Sequence, residues 1–370
     1  MKFLINQDDF AKALTAASRS LPIRPTLPVL SNFLISTDKD RVEVVATNLE
    51  AASKSRTGCK TKTEGKITVP GRILLEYVSQ LPSSEITVEV LGEEVLISSS
   101  GYNARFATVS AEEFPQIPKI TGGVEIALAK DEFAKAINRI YFTAASDEGR
   151  PVLNGVLCEA GKKKLSMVAT DGYRLGYAEA GLAKEATSMK MVVPVKALAE
   201  VAKLIAEDKE EAGFKFQVAG NLSQASFTVG NVEYTTRLIE GQFPNWQKII
   251  PSVFVTKVKL AKDEFLRQMK IAAIFARDSG NIVKLKFEGK TLTITSSASQ
   301  VASNEINVDV DIEGKGCEIA FNWRYIIEAV SAFDGENITF ELNESLNPGK
   351  VSSGENTSFF HIIMPVRLQG

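Results

Sequence analysis

The segment "ALAKDEF" at 127–133 returns as "KLAKDEF" at 259–265, and "NQDDF" at 6–10 is a weaker third copy. Other landmarks keep the same spacing. Phe10 and Phe133 stand 123 residues apart, and so do Asn48 and Asp171, which end two similar alternating runs, "VEVVATNLE" and "KLSMVATDGYRLG". A third run, "LTITSSAS" at 292–299, aligns with "LSMVATDG" at 165–172. A later proline also recurs, in "EEFPQIP" (112–118), "GQFPNWQKIIP" (241–251) and "IIMPVRL" (362–368). A fixed long period marks a repeat architecture. The chain reads as three domains of about 120 residues, spanning 1–121, 122–252 and 253–370.

Each copy has one internal order. A helix comes first: in "DDFAKALTAASRSLP" the residues Phe10, Ala13, Leu14 and Ala17 fall on one helical face. Alternating strands follow. A second helix is expected in "VPGRILLEYVSQLP", "VPVKALAEVAKLIAE" and "FNWRYIIEAVSAF", with Pro70 and Pro194 at helix starts. More alternating strands close the copy. Each domain is thus two helix-plus-sheet halves, and strands outnumber helices. The class is α+β with antiparallel sheets.

Composition narrows the chemistry. With 44% hydrophobic residues the chain buries sizeable cores, and no apolar run reaches the length of a membrane span. Cys59, Cys158 and Cys317 are an odd number without a Cys-x-x-Cys, which fits a reducing cytosol. The single histidine, His361, lies in an apolar alternation and reads as a half-buried strand residue. One histidine and scattered cysteines supply no zinc site and no nucleophile–histidine pair. The nearest approach to a phosphate loop, "GVLCEAGKK", has the wrong spacing and Lys163 in place of Ser or Thr. No catalytic residue, metal or cofactor is expected. Net charge is −2, which alone argues against a nucleic-acid partner, but it says nothing of distribution.

Positive charge concentrates on helices. Lys12, Arg19, Lys135, Arg139, Arg267, Lys270 and Arg277 belong to the first helices or their ends, and Arg72, Lys196, Lys203 and Arg324 to the second ones. Two readings are open. Bases toward helix C-termini complement the helix dipole. Alternatively, similar helices on repeated sheets face one side and make a positive surface on an acidic body.

Several stretches, in this order, carry a resemblance: "MKFLINQDDF", "RPTLPVLSNFLI", "VATDGYRL", "FPNWQKIIP" and "IIMPVRL". Over its whole length the chain resembles the bacterial sliding clamps, the β subunits of DNA polymerase III. The resemblance implies a head-to-tail homodimeric ring whose helices line a channel around duplex DNA, with the sheets outside. It implies a cytoplasmic, nucleoid-associated processivity factor that works without a cofactor. The implied partners are a second copy, duplex DNA of any sequence, the polymerase α subunit, the clamp loader, and other polymerases and repair proteins that present short peptides. No membrane is implied. A ring that holds DNA by topology needs only diffuse phosphate contacts, which carry no sequence information.

The same resemblance suggests roles residue by residue. Arg24 and Arg150 match DNA-contacting positions, with Arg72 and Lys196 beside them on the second helices, although Pro151 and Val152 replace aromatics found in some members. The peptide pocket is expected from Leu153, Thr170, Gly172, Tyr173, Arg174 and Leu175, with Pro244, Lys248 and Ile249. Leu346, Pro348 and the tail Ile362, Ile363, Met364, Pro365, Val366, Arg367 and Leu368 complete it. Tyr173 stands where many members have histidine, and Gln369 and Gly370 extend past the usual end. The dimer contact is expected from Ile271, Ile274 and Phe275, an apolar stripe off the core face of their helix, against Phe106. Two other classes compete: a peptide-binding scaffold that does not encircle DNA, and a hydrolase.

Overall fold

The computed structural model describes residues 1–367 except 118, 119, 121, 148, 209–212, 299, 300, 355 and 356. Among the described residues the helices are α1 (Gln7–Ser18), α2 (Gly71–Gln80), α3 (Lys130–Ile140), α4 (Val195–Glu207), α5 (Lys262–Ala276) and α6 (Trp323–Ser331). The Asn6 side chain caps α1 by accepting from the Asp8 amide at 2.9 Å. The periodic face of α1 is the buried one: Phe10, Ala13, Leu14 and Ala17. Pro70 and Pro194 sit one residue earlier than expected. Each ends a strand, and the helix begins at the next residue. Proline lacks an N–H and has a fixed φ, so it serves at that junction without loss.

Among the described residues all strand pairings are antiparallel, as alternation predicts. Six strands matter below: β1 (Ala51–Gly58), β2 (Tyr102–Ala107), β3 (Arg174–Gly181), β4 (Val232–Arg237), β5 (Ala302–Asp309) and β6 (Phe359–Ile363).

The chain forms two compact units, Met1–Lys130 with Glu200–Leu238, and Asp131–Ala199 with Ile239–Gly370. The middle repeat contributes one half to each. The reason lies in the strand pairing. In the first unit an eight-stranded sheet continues from the first repeat into the second through β1 and β4, with Ala52 opposite Thr235 and Ala51 opposite Thr236. In the second unit a nine-stranded sheet continues from the second repeat into the third through β3 and β6, with Leu175 opposite Ile362 and Arg174 opposite Ile363. A half-sheet of one repeat thus joins the complementary half-sheet of the next, twice.

Among the described residues two halves have no such partner. β2 is the edge of the five-stranded sheet of the first unit, and β5 is the edge of the four-stranded sheet of the second. β2 occupies the place in its half that β4 and β6 occupy in theirs, and β5 the place of β1 and β3. An unpaired strand edge is a template for another chain.

The core of the first unit joins both its sheets to α1 and α2, with Phe3 and Phe10 edge to face at 6.1 Å and with Phe33, Leu74 and Val78 fully enclosed. In the second unit Phe265, Met269, Ala272 and Ala276 of α5 are buried.

Candidate functional site

Three helices carry a cation at their second residue: Arg72 in α2, Lys196 in α4 and Arg324 in α6, all exposed. This is the positive end of the helix dipole, where a cation costs roughly 0.3–1 kcal/mol. The dipole reading therefore fails for these residues. An anion there is favoured by the side chain and by the free N–H groups together. The dipole reading fits the first helices better. Arg139 is in the last turn of α3, and Arg19 and Arg277 are C-caps of α1 and α5. Much of this charge is used inside the chain. The Arg19 side chain is only 8% exposed and bridges Glu200 and Glu207 of α4. Burial alone would raise the Glu200 carboxyl, but hydrogen bonds from Lys203 and Arg19 outweigh it and hold it below the usual carboxylate range. Lys135 and Arg139 both grip Asp334, at 2.7 and 2.8 Å.

Arg24 is exposed in the loop after α1, four residues before the short turn Pro28–Ser31. The Arg72 guanidinium donates to the Pro22 carbonyl at 3.2 Å, which ties that loop to the start of α2. In the other unit Arg150 is exposed, pairs with Asp147 at 3.1 Å and directly precedes the matching turn Pro151–Asn154.

The expected pocket residues converge on the β3–β6 junction of the second unit. The strand exit is a tight turn. Thr170 Oγ1 donates to the Arg174 carbonyl at 2.6 Å, and Asp171 Oδ1 accepts from the amides of Tyr173 and Arg174 at 2.8 and 3.0 Å. Gly172 takes φ +91°, and a Cβ there would lie 2.9 Å from the Arg150 guanidinium. Only glycine adopts that backbone freely. The Met364 amide then donates to the Tyr173 carbonyl at 2.9 Å, and that of Val366 to the Ala320 carbonyl at 2.8 Å, so the tail is laid against the exit.

Burial divides the expected residues into three groups. Leu153, Thr170, Leu175, Ile362 and Ile363 are buried, while Ile249, Pro348, Met364, Pro365 and Val366 are half-buried. Pro244, Lys248, Leu346 and Arg367 are exposed, as is Tyr173 at 62%. Leu368, with Gln369 and Gly370, lies outside the described residues. Arg174 does not face solvent. Its guanidinium bonds Asp171, Glu328 and the Phe142 carbonyl and lies 4.5 Å from the Tyr325 ring centre, so it locks the exit to α6.

Three aromatic residues beneath the site were not singled out by sequence reasoning. Tyr177 stacks on Phe360 at 4.8 Å and contacts Trp246 at 5.2 Å, in one cluster with Leu175, Ile362 and Ile249. Trp246 stood inside the quoted "FPNWQKIIP", and Tyr177 and Phe360 lie at inward positions of alternating runs. The pairing of those runs across the sheet was the missing information. His361 is fully buried rather than half-buried. Its ring lies 5.4 Å from Phe142 and 5.2 Å from Phe359, and burial, then the charge of Arg174, pushes its pKa down to about 3.

On α5, Ile271 and Ile274 are 43% and 55% exposed and Phe275 is half-buried, off the core face as the periodicity required. Phe106 lies on the open edge strand β2, but its ring turns into its own core against Tyr77 at 5.8 Å. Among the described residues no group of His, Cys, Asp and Glu is placed to hold a metal, and no helix is long and apolar enough to cross a membrane.

Comparison with known proteins gives one family throughout. Residues 1–118 match the profile of the DNA polymerase III β subunit N-terminal domain, 127–245 its central domain, and 247–367 its C-terminal domain. The β sliding clamp of Vibrio cholerae is 29% identical over 370 residues, covering both chains in full, and that of Synechococcus elongatus is 28% identical with equally full coverage. The DNA polymerase III β subunit structure from Thermotoga maritima has a TM-score of 0.93 at 26% identity over 100% of both chains. The sliding clamp from Pseudomonas aeruginosa solved with bound griselimycin has a TM-score of 0.94 at 25% identity, again over 100% of both. The chain belongs to the β sliding clamp family, the non-enzymatic processivity subunits of DNA polymerase III in DNA replication.

Proposed function

We propose that two copies of this chain close head to tail into a ring around duplex DNA, in the bacterial cytoplasm. The ring tethers the replicative polymerase and admits other replication and repair proteins through the β3–β6 pocket. The observation that carries this is the pair of open edges. Two junctions between complementary half-sheets are made within the chain, and one donor edge, β5, and one acceptor edge, β2, remain. Transferring the register of β3 with β6 onto them sets Ala302 opposite Phe106, Ser303 opposite Arg105 and Asn304 opposite Ala104. The exposed Ile271 and Ile274 of α5 then stand where Arg19 stands at the end of α1. A partner surface is the usual reason for such an apolar stripe.

Around DNA, Arg24, Arg72, Arg150 and Lys196 meet phosphates, joined by Arg324. Each contact is sequence-independent, so the ring slides. The three domains 1–121, 122–252 and 253–370 are the repeating units of the ring. At the pocket, a peptide of the form Gln-Leu-x-Leu-Phe places its apolar side chains on Leu175, Ile249, Ile362 and Met364. Two such side chains contribute about 2–3 kcal/mol each on burial, and peptide ordering removes several kcal/mol. The balance is near micromolar, about −8 kcal/mol, which lets partners exchange.

The register is testable. Directly opposed strand residues have Cα atoms at disulfide distance. Ala104→Cys combined with Asn304→Cys should oxidise to a covalent dimer, and neither single variant should. Loaded in the reduced state by the clamp loader on nicked circular DNA and then oxidised, that dimer should elute with the circle and leave only when the DNA is linearised. A monomer by sedimentation with no cross-link refutes the ring. A cross-linked dimer that the circle does not retain leaves the peptide-binding scaffold instead.

A further inference from the structure

The exit turn beside the pocket is built a second time, in the first unit. Thr47 Oγ1 donates to the Ala51 carbonyl at 2.8 Å, as Thr170 does to that of Arg174. Asn48 Oδ1 accepts from the amides of Glu50 and Ala51 at 3.0 and 2.7 Å, the role of Asp171. The Arg237 amide donates to the Glu50 carbonyl at 2.8 Å, as Met364 does to Tyr173. β1 and β4 pair in the register of β3 and β6. The loop after the first repeat brings Pro115 to the place of Pro244. These matching contacts enclose a recess of about 100 Å³, lined by Leu49, Ala52, Pro115, Ile117, Thr235 and Arg237 among others.

We propose that this recess is a second, weaker docking site for an extended peptide that carries a carboxylate next to a small aliphatic side chain. The proposal rests on reading the β3–β6 pocket as a peptide site. The occupant follows from the exchanged residues. Ala52 replaces Leu175, Thr235 replaces Ile362 and Gln224 replaces Pro348, so the floor offers hydroxyl and amide groups. A recess of about 100 Å³ suits a small side chain. Arg237 replaces Met364 at the rim, is exposed, and holds no ion pair among the described residues. A cation there selects a carboxylate.

Leu49 gives an independent indication. It adopts φ +75° where the other turn has Gly172, and its side chain is 41% exposed at the lip of the recess. Branched L-residues avoid that backbone region, and retained strain clusters at binding sites. An apolar side chain held there against its own backbone preference suits a lip that closes on a ligand.

The test uses the full chain and two fluorescein-labelled peptides, Gln-Leu-Asp-Leu-Phe and Asp-Val-Asp-Val, read by polarisation. Asp-Val-Asp-Val should bind saturably with excess unlabelled Gln-Leu-Asp-Leu-Phe present. Arg237→Glu should weaken it at least tenfold and confer binding of Lys-Val-Lys-Val, with the melting temperature unchanged. Leu49→Gly should weaken it as well without lowering the melting temperature, an outcome that a purely structural leucine would not give. Displacement of Asp-Val-Asp-Val by Gln-Leu-Asp-Leu-Phe, or no saturation in the millimolar range, overturns the second site. If Gln-Leu-Asp-Leu-Phe itself does not bind, the first pocket fails, and that result is separate from the second.

Discussion

His361 should make the fold acid-sensitive in a window that ordinary carboxylates do not cover. The ring is enclosed by Phe142, Phe333 and Phe359, and Arg174 adds a repelling charge. Its pKa falls from 6.5 to about 3 on folding. A depressed pKa means that the unfolded chain takes up a proton which the folded chain refuses. Stability is therefore complete above the unfolded value and is lost as pH falls from 6.5 toward 3. One pKa unit corresponds to about 1.4 kcal/mol, so the loss is about 0.8 kcal/mol at pH 6 and about 2 kcal/mol at pH 5. The chain has one histidine, so the effect is assignable. Urea unfolding of the wild type and of His361→Leu across pH 5 to 7.5 separates it from carboxylate effects. The leucine variant should lose that slope, with its curve nearly flat between pH 5.5 and 7. Parallel curves for the two proteins would refute the buried neutral imidazole. Gly176 pairs with His361 across the β3–β6 junction, and folded His361 stays neutral down to about pH 3, so the peptide affinity of the folded protein should not change between pH 5 and 7.5.

Three further outcomes are expected. Arg24→Ala, Arg72→Ala or Arg150→Ala should each lower the salt slope of DNA binding by about one unit, as for one lost phosphate contact, with unchanged melting; a full salt series would measure it. Deleting residues 364–370 removes the Met364 and Val366 hydrogen bonds and, in the proposed pocket, one wall. It should reduce peptide affinity at least tenfold by polarisation while sedimentation still reports a dimer. Ile274→Ala with Phe275→Ala should give a folded monomer in sedimentation, because roughly 2 kcal/mol or more of apolar contact is lost at each of two junctions.

Periodicity and spacing are local properties, and they carried much of the fold. The antiparallel class, the buried face of α1 and the second stripe on α5 follow from residues within a few turns of each other, and the three copies from the recurrence of short motifs. What escaped depends on contacts distant in sequence. That the charge of Arg174 is held by Glu328, 154 residues away, could not be read from "VATDGYRL". Arg19 looked like a basic helix end, yet Glu200 and Glu207 enclose it. Pro70 and Pro194 place Arg72 and Lys196 in a first helical turn, but no such mark precedes Arg324, and the second position of all three depends on where the preceding strand stops. The stack of Tyr177, Trp246 and Phe360 needs three separate segments aligned. The repeated exit at Asn48 and Asp171 was legible, but not that Leu49 takes the positive φ of Gly172.

The repeated junction explains why the three copies differ in chemistry at one place. Two junctions form within the chain, where the partners are covalently linked and effective concentrations are high. Polar contacts suffice there: Arg19 with Glu200 and Glu207 in the first unit, and Arg174 with Glu328 in the second. Such pairs gain little net free energy after desolvation, but they fix geometry. The third junction, in the proposed ring, forms between separate chains and must also offset the loss of translational freedom. At the position of Arg19 the third copy has Ile274, with Ile271 one turn before it. Apolar burial supplies net free energy that an ion pair does not. In the proposed ring Ile271 and Ile274, 43% and 55% exposed in the single chain, would supply that burial at each of the two seams.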